Sequence, residues 1–180
     1  MDKVNKMIDI INNKHNLKEE DINKVVKRVK ALIINSSNEI LLGYSYHTYQ
    51  FPGGHVEGDE PLIHALNREI IEETGMVLNI KNIKPFARNI GYHKDLLDEG
   101  YNVKTEIYYY EIKTDEKPDL YNTNYTDEEE EGNFKLKYIS LDEVGEALKK
   151  NVSKWEDAKG IAEEMLTLLD LYKTKIVNNC

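Results

Sequence analysis

Between Gly54 and Met76 the chain reads GHVEGDEPLIHALNREIIEETGM, which specifies a helix and then places three carboxylates at the end where a helix tolerates them least. Asp59 and Glu60 put negative charge at its start, Pro61 sits where a first helical residue can lack its N–H, and Gly75 supplies a left-handed stop. Glu69, Glu72 and Glu73 fall in the last turns, against the partial negative charge of the C-terminal carbonyls. Glu69 also repels Glu73 at i,i+4 and Glu72 at i,i+3, and each such pair costs an isolated helix roughly 0.2–0.5 kcal/mol.

The angular positions make the misfit sharper. Counting about 100° per residue from Glu69, the apolar stripe of Leu62, Leu66, Ile70 and Ile63 spans roughly 20° to 120°, and Glu73 falls inside it near 40°. Glu69 lies at its edge. A carboxylate drawn out of water costs several kcal/mol, at least roughly, unless it is paired or bound to a metal. Arg68 answers only part of that charge, and a hard divalent cation, Mg²⁺ or Mn²⁺, suits the remaining oxygen donors. The competing reading is a solvated acidic helix face in a chain of net charge -9. Against it stands the preceding Gln50-Phe51-Pro52-Gly53-Gly54, a Gly-Gly turn entered from a strand, which lets backbone carbonyls and amides approach an ion or ligand closely.

The order Gly54, five residues, Glu60, seven residues, Arg68-Glu69-Ile70, one residue, Glu72-Glu73, one residue, Gly75-Met76 resembles the box of the Nudix hydrolases at every fixed position. The resemblance implies an α+β fold, an α/β/α sandwich in which a mixed β-sheet is flanked by helices. It further implies Glu69, Glu72 and Glu73 as metal ligands, with the carbonyl of Gly53 or Gly54 completing the coordination. Arg68 would hold Glu69 or Glu60 by a charge-assisted hydrogen bond. The implied reaction is metal-dependent hydrolysis of a phosphoanhydride in a nucleoside diphosphate linked to another group, by attack of water at phosphorus. The resemblance also implies that the acidic loop beyond the box can supply one more carboxylate, with Glu129 and Glu130 as candidates. Which carboxylate acts as base stays open.

Composition limits the alternatives. At 180 residues the chain can bury one substantial core, and 33 Asp and Glu against 24 Lys and Arg leave no basic surplus for extensive nucleic-acid binding. The one cysteine, Cys180, can form no intrachain disulfide, and no apolar run suggests a signal peptide or membrane span, so a cytoplasmic protein is expected. Residues 1–24 read as a helical N-terminal extension, from the spacing of Val4, Met7, Ile8 and Ile11 and a short helical stretch at 18–24, and residues 25–180 as a single Nudix hydrolase domain. A homodimer is compatible with the family, and the extension is its candidate interface.

The rest of the pattern supplies the sheet. Strands are expected at 25–34 and 39–44 around the turn 35–38, then at 49–51, 77–83, 85–92, 103–113 and 134–139. The run Asp127 to Glu131 reads as a solvated loop. Ser140 to Glu143 and Ser153 to Glu156 read as capping boxes that start two helices, the second with a stripe of Trp155, Ala158, Ile161, Ala162, Met165, Leu169 and Tyr172.

Substrate choice is less legible. Tyr92, 16 residues after Met76, is similar in placement to a tyrosine downstream of the box in diadenosine polyphosphate hydrolases, but among 12 tyrosines it reads more as a strand residue than as one that stacks on a base. Pro85 comes too early to match the proline of ADP-ribose hydrolases. Phe51, with Tyr44, Tyr46 and Tyr49, borders the expected cleft and offers stacking surfaces. His47, His55, His64 and His93 lack the pairing expected of zinc ligands. Two other functions remain in view: a non-catalytic Nudix-like nucleotide-binding module, which an intact box disfavours, and an isoprenoid diphosphate isomerase, for which a tail cysteine is a poor catalyst.

Overall fold

The computed structural model describes residues 7–94 and 100–179. Its elements run β1 (Ile8–Asn12), a one-turn 3-10 helix (Glu19–Asp21), β2 (Lys24–Ile34), β3 (Glu39–Ser45), β4 (Thr48–Gln50), α1 (Leu62–Thr74), β5 (Ala87–Lys94), β6 (Asn102–Lys113), α2 (Asp127–Glu131), β7 (Lys135–Ser140), α3 (Val144–Val152), a second 3-10 turn (Glu156–Ala158) and α4 (Lys159–Asn179). The chain forms two compact units, with β2, β6 and α1 each running from one into the other.

The first unit takes in Met1–Ala31, Gly53–Glu69 and Val77–Glu111. Its strands follow the order β1-β5-β6-β2, with β1 parallel to β5 and β5 antiparallel to β6. The loop after Pro52 continues this pairing: Val29 N–H donates to the Gly54 carbonyl at 3.0 Å and Val56 N–H to the Lys27 carbonyl at 2.9 Å. The segment that leads into α1 is therefore held along β2 by main-chain hydrogen bonds.

The second unit takes in Leu32–Pro52, Ile70–Met76 and Ile112–Cys180. Here β3 pairs antiparallel with the end of β2, with β4 and with β7. Buried Val144 and Leu148 of α3 and Ala162, Met165, Leu168, Leu169 and Tyr172 of α4 contribute to its core. The β3–β4 turn places Tyr46 (φ 44°) and His47 (φ 63°) consecutively in the left-handed region, which for non-glycine residues costs roughly 1–2 kcal/mol each. Offsetting contacts surround it. The His47 ring stacks on Trp155 at 3.7 Å, Asn151 donates to the His47 carbonyl at 2.7 Å, and Tyr46 N–H donates to the Gly132 carbonyl at 3.2 Å.

The mixed sheet flanked by helices agrees with the sequence reading, and several local expectations do not. The first helix expected in the N-terminal extension is a strand where described, Ile8–Asn12, because its clustered isoleucines and parallel ladder to Ala87–Gly91 satisfy the backbone better than a short isolated helix would; of the stretch 18–24 only Glu19–Asp21 is helical, as one 3-10 turn. Val4 lies outside the described residues, as does Cys180. Residues 77–83 form no strand; Ile80 N–H bonds to Leu78 O and Ile83 N–H to Ile80 O, so local turns consume the groups a ladder needs. The acidic run contains α2, capped by Thr126 and Glu129. Neither expected serine cap forms. α3 starts after Glu143, and Ser153 closes α3, its hydroxyl donating to the Lys150 carbonyl. Trp155 is 40% exposed, spent on His47 rather than on the α4 stripe. Among the described residues no helix is long and apolar enough to cross a membrane.

The left-handed stop is as the sequence requires. Gly75 has φ 68°, its N–H donates to Ile71 O at 2.8 Å, and a Cβ there would overlap the Asp119 carbonyl. Gly75→Ala is expected to destabilise the protein by at least about 1–2 kcal/mol from backbone strain alone, read as a lowered midpoint in urea unfolding; an unchanged midpoint would contradict this role.

Candidate active site on helix α1

The approach to α1 is built by Glu57 to Pro61. Glu60 accepts from the Glu57 N–H at 2.9 Å through its side chain, and the Pro61 carbonyl accepts the first helical bonds from His64 and Ala65. One turn further on, Arg68 gathers this segment. Its guanidinium donates to Glu60 at 2.8 Å, to Glu69 at 2.9 Å and to the His55 carbonyl at 2.9 Å, with Glu57 at 3.8 Å. These bonds raise the Arg68 pKa, the one to Glu60 most of all, and the same bond holds the Glu60 carboxyl below its ordinary range. The structure thus brings Arg68 to both of its expected partners.

Glu69 is largely buried, with 12% of its side chain exposed, and packs directly against the glycine turn. A Cβ on Gly54 would lie only 2.5 and 2.6 Å from the two carboxylate oxygens of Glu69. No other residue type fits there without displacing the acid. Gly53 has φ 126°, and a Cβ on it would overlap the Val29 carbonyl. Glycine at both positions therefore lets the turn lie between β2 and the Glu69 carboxylate. The Gly54 carbonyl is occupied by Val29, and the Gly53 carbonyl accepts from the Lys30 ammonium.

At the far end of the helix, Glu73 is 3% exposed, as its place in the apolar stripe requires, while Glu72 is half-buried. The segment after β6 closes over this end: Asp119 N–H donates to Thr74 O at 2.9 Å and Asn124 N–H to Glu72 O at 2.8 Å. Those bonds satisfy carbonyls that a helix terminus leaves open. Burial raises the Tyr125 pKa, and the carboxylates of Glu129 and Glu73 push it the same way.

The remaining sequence candidates fall elsewhere. Glu129 is committed to its cap, accepting from the Thr126 N–H at 2.7 Å and hydroxyl at 3.0 Å, and Glu130 is exposed on α2. Phe51 is 2% exposed and presents no face to solvent. Tyr92 donates its hydroxyl to Glu19 at 2.5 Å, beside Lys104, on the β5–β6 ladder. Residues that the sequence reading missed are Lys30, Tyr125 and His55. Alternation along β2 puts Lys30 on one face with Arg28, which donates to the His55 ring at 3.1 Å, but nothing in that alternation revealed the loop it meets.

Among the described residues, no three His, Cys, Asp or Glu side chains converge as a ready cage. The donor chemistry nevertheless suits a hard cation, since carboxylates and a backbone carbonyl are the oxygen ligands Mg²⁺ and Mn²⁺ prefer.

An acidic helix held behind a glycine turn in a mixed-sheet α+β fold is the arrangement to set against known proteins. The chain matches the NUDIX domain over residues 24–162 and belongs to the Nudix family, as a Nudix pyrophosphohydrolase; members of this family generally use divalent metals. Among solved structures its fold is similar to the mutator MutT protein of Bacillus halodurans, at 21% identity, covering 67% of this chain and 72% of that one, with TM-score 0.51. It is also similar to the Ap4A hydrolase of C. elegans in a binary complex, at 19% identity, covering 85% and 98%, with TM-score 0.51. At such identities the likeness speaks to fold. Comparison with curated proteins finds no match.

The Arg68–Glu60 bond gives a pH-dependent expectation. The Glu60 pKa is depressed below 4.5 in the folded state, so its stabilisation is complete above that value and lost as pH falls through the lowered one. Glu60→Gln should cost about 1 kcal/mol at pH 7. The difference in melting temperature from wild type should shrink as pH drops below about 4.5; a difference constant with pH would contradict it.

Proposed function

We propose that this protein hydrolyses a phosphoanhydride bond in a nucleoside diphosphate linked to another group, such as a nucleotide sugar, a dinucleoside polyphosphate or a further phosphate, with Mg²⁺ or Mn²⁺ as cofactor. The observation that carries this reading is Glu69 packed against Gly54 on a helix that also buries Glu73. Glu69, Glu72, Glu73 and the Gly53 carbonyl are the residues that would hold the ion. When bound, it neutralises phosphate charge and acidifies water.

The chain's own residues supply the rest. Arg68 fixes the Glu69 carboxylate, limiting the side-chain freedom it would otherwise lose on reaction. Glu69, or an acid of the α2 segment, accepts a proton from the attacking water. The oxygen of that water bonds to phosphorus, the bridging P–O bond breaks, and the leaving phosphate departs with the electron pair. Glu129 would have to leave its cap to take part, so Glu69 is the better placed base. In this reading residues 25–180 are the catalytic domain and the protein works in the cytoplasm, on small molecules.

The test is turnover of ADP-ribose, diadenosine polyphosphates, nucleoside diphosphate sugars and (deoxy)nucleoside triphosphates with Mg²⁺ or Mn²⁺. At least one should be cleaved, with chelator abolishing the reaction. Glu73→Gln should lower kcat/KM by roughly 10²–10⁴-fold, the scale of a group that handles protons or positions them, while circular dichroism shows a retained fold. No turnover across the panel with either metal would favour the non-catalytic binding module.

A further inference from the structure

Lys30 is half-buried on β2, and its ammonium donates to the carbonyl of Gly53. Of the two glycine carbonyls of the turn, that of Gly54 accepts from Val29 N–H and that of Gly53 from Lys30. The turn cannot move away easily. Its neighbours Gly54 and Val56 are hydrogen-bonded to β2, and Gly53 rests on the Val29 carbonyl too closely for any side chain. On the next residue, the Glu69 carboxylate presses against Gly54. A lysine side chain gives up roughly 1.5–2 kcal/mol of rotamer entropy when it is held.

We infer that Lys30 is a built-in cation that holds the Gly53 carbonyl in the metal-free enzyme and competes with the divalent ion for that oxygen. The inference rests on the metal-dependent reading above. An ammonium and a divalent cation cannot share one carbonyl at contact distance, since like charges a few ångströms apart repel strongly in a partly desolvated site. Entry of the metal must therefore displace Lys30. The residue thereby lowers metal affinity and, before the ion arrives, supplies positive charge at the Gly53 carbonyl. It is a positioning residue for the turn, and its role is distinct from that of Arg68, which is tied to Glu60 and the His55 carbonyl.

The experiment is isothermal titration of the full chain with MnCl₂ and with MgCl₂, comparing wild type, Lys30→Met, Lys30→Gln and Lys30→Arg, each first shown to be folded by its thermal transition. Removing the charge should tighten metal binding by roughly tenfold, as expected for losing one like charge near the ion. Lys30→Gln covers the case in which the apolar variant fails to fold, and Lys30→Arg should stay near wild-type affinity. If wild type binds metal and both neutral variants bind it equally or more weakly, Lys30 is no competitor and the inference fails alone. Absence of binding in wild type and neutral variants alike overturns the metal-dependent reading and this inference with it.

Discussion

A carboxylate with 3% of its surface exposed sets the terms for this protein. Glu73 sits in the apolar stripe of α1, four residues from Glu69, at the helix end that repels negative charge. Burying one carboxylate there is costly, and placing two more beside it compounds the cost. A fold that sought stability alone would put an apolar residue at 73.

The surrounding structure fixes the helix that carries that charge. Arg68 ties Glu69 to Glu60 and to the loop carbonyl of His55, so the acid and the turn that faces it are fixed by one guanidinium. Gly53 and Gly54 bring main chain where side chains would collide with Val29 and Glu69. Asn124 and Asp119 cap the last carbonyls of the helix, which keeps its C-terminal turn intact despite the repulsion. Each contact fixes backbone or side-chain geometry around the acids.

The parts of this arrangement that were legible in the sequence are those governed by local period and local charge. The burial of Glu73 follows from its angle among Leu62, Leu66 and Ile70, and the Gly75 stop from the need for a left-handed residue. β2, β3 and β6 were visible as runs of β-branched and aromatic residues. What escaped depends on partners distant in sequence. Ile8–Asn12 is a strand only because β5 lies alongside it, and residues 77–83 alternate like a strand but close into turns. Ser153 has the spacing of a helix start yet ends α3, while Thr126 and Glu129 do form the box that their spacing allows. Lys30 was invisible as a site residue because its contact with Gly53 spans 23 positions.

The central claim is that the acids of α1 stand in place for a divalent cation. The most direct measurement is the thermal unfolding of wild type and of a Glu69→Gln, Glu73→Gln double variant, with and without Mg²⁺ or Mn²⁺. Binding to the native state alone should raise the wild-type melting temperature by several degrees, at roughly 2–4 °C per kcal/mol for a chain of this size, and leave the double variant nearly unmoved. An equal rise in both proteins would contradict the claim.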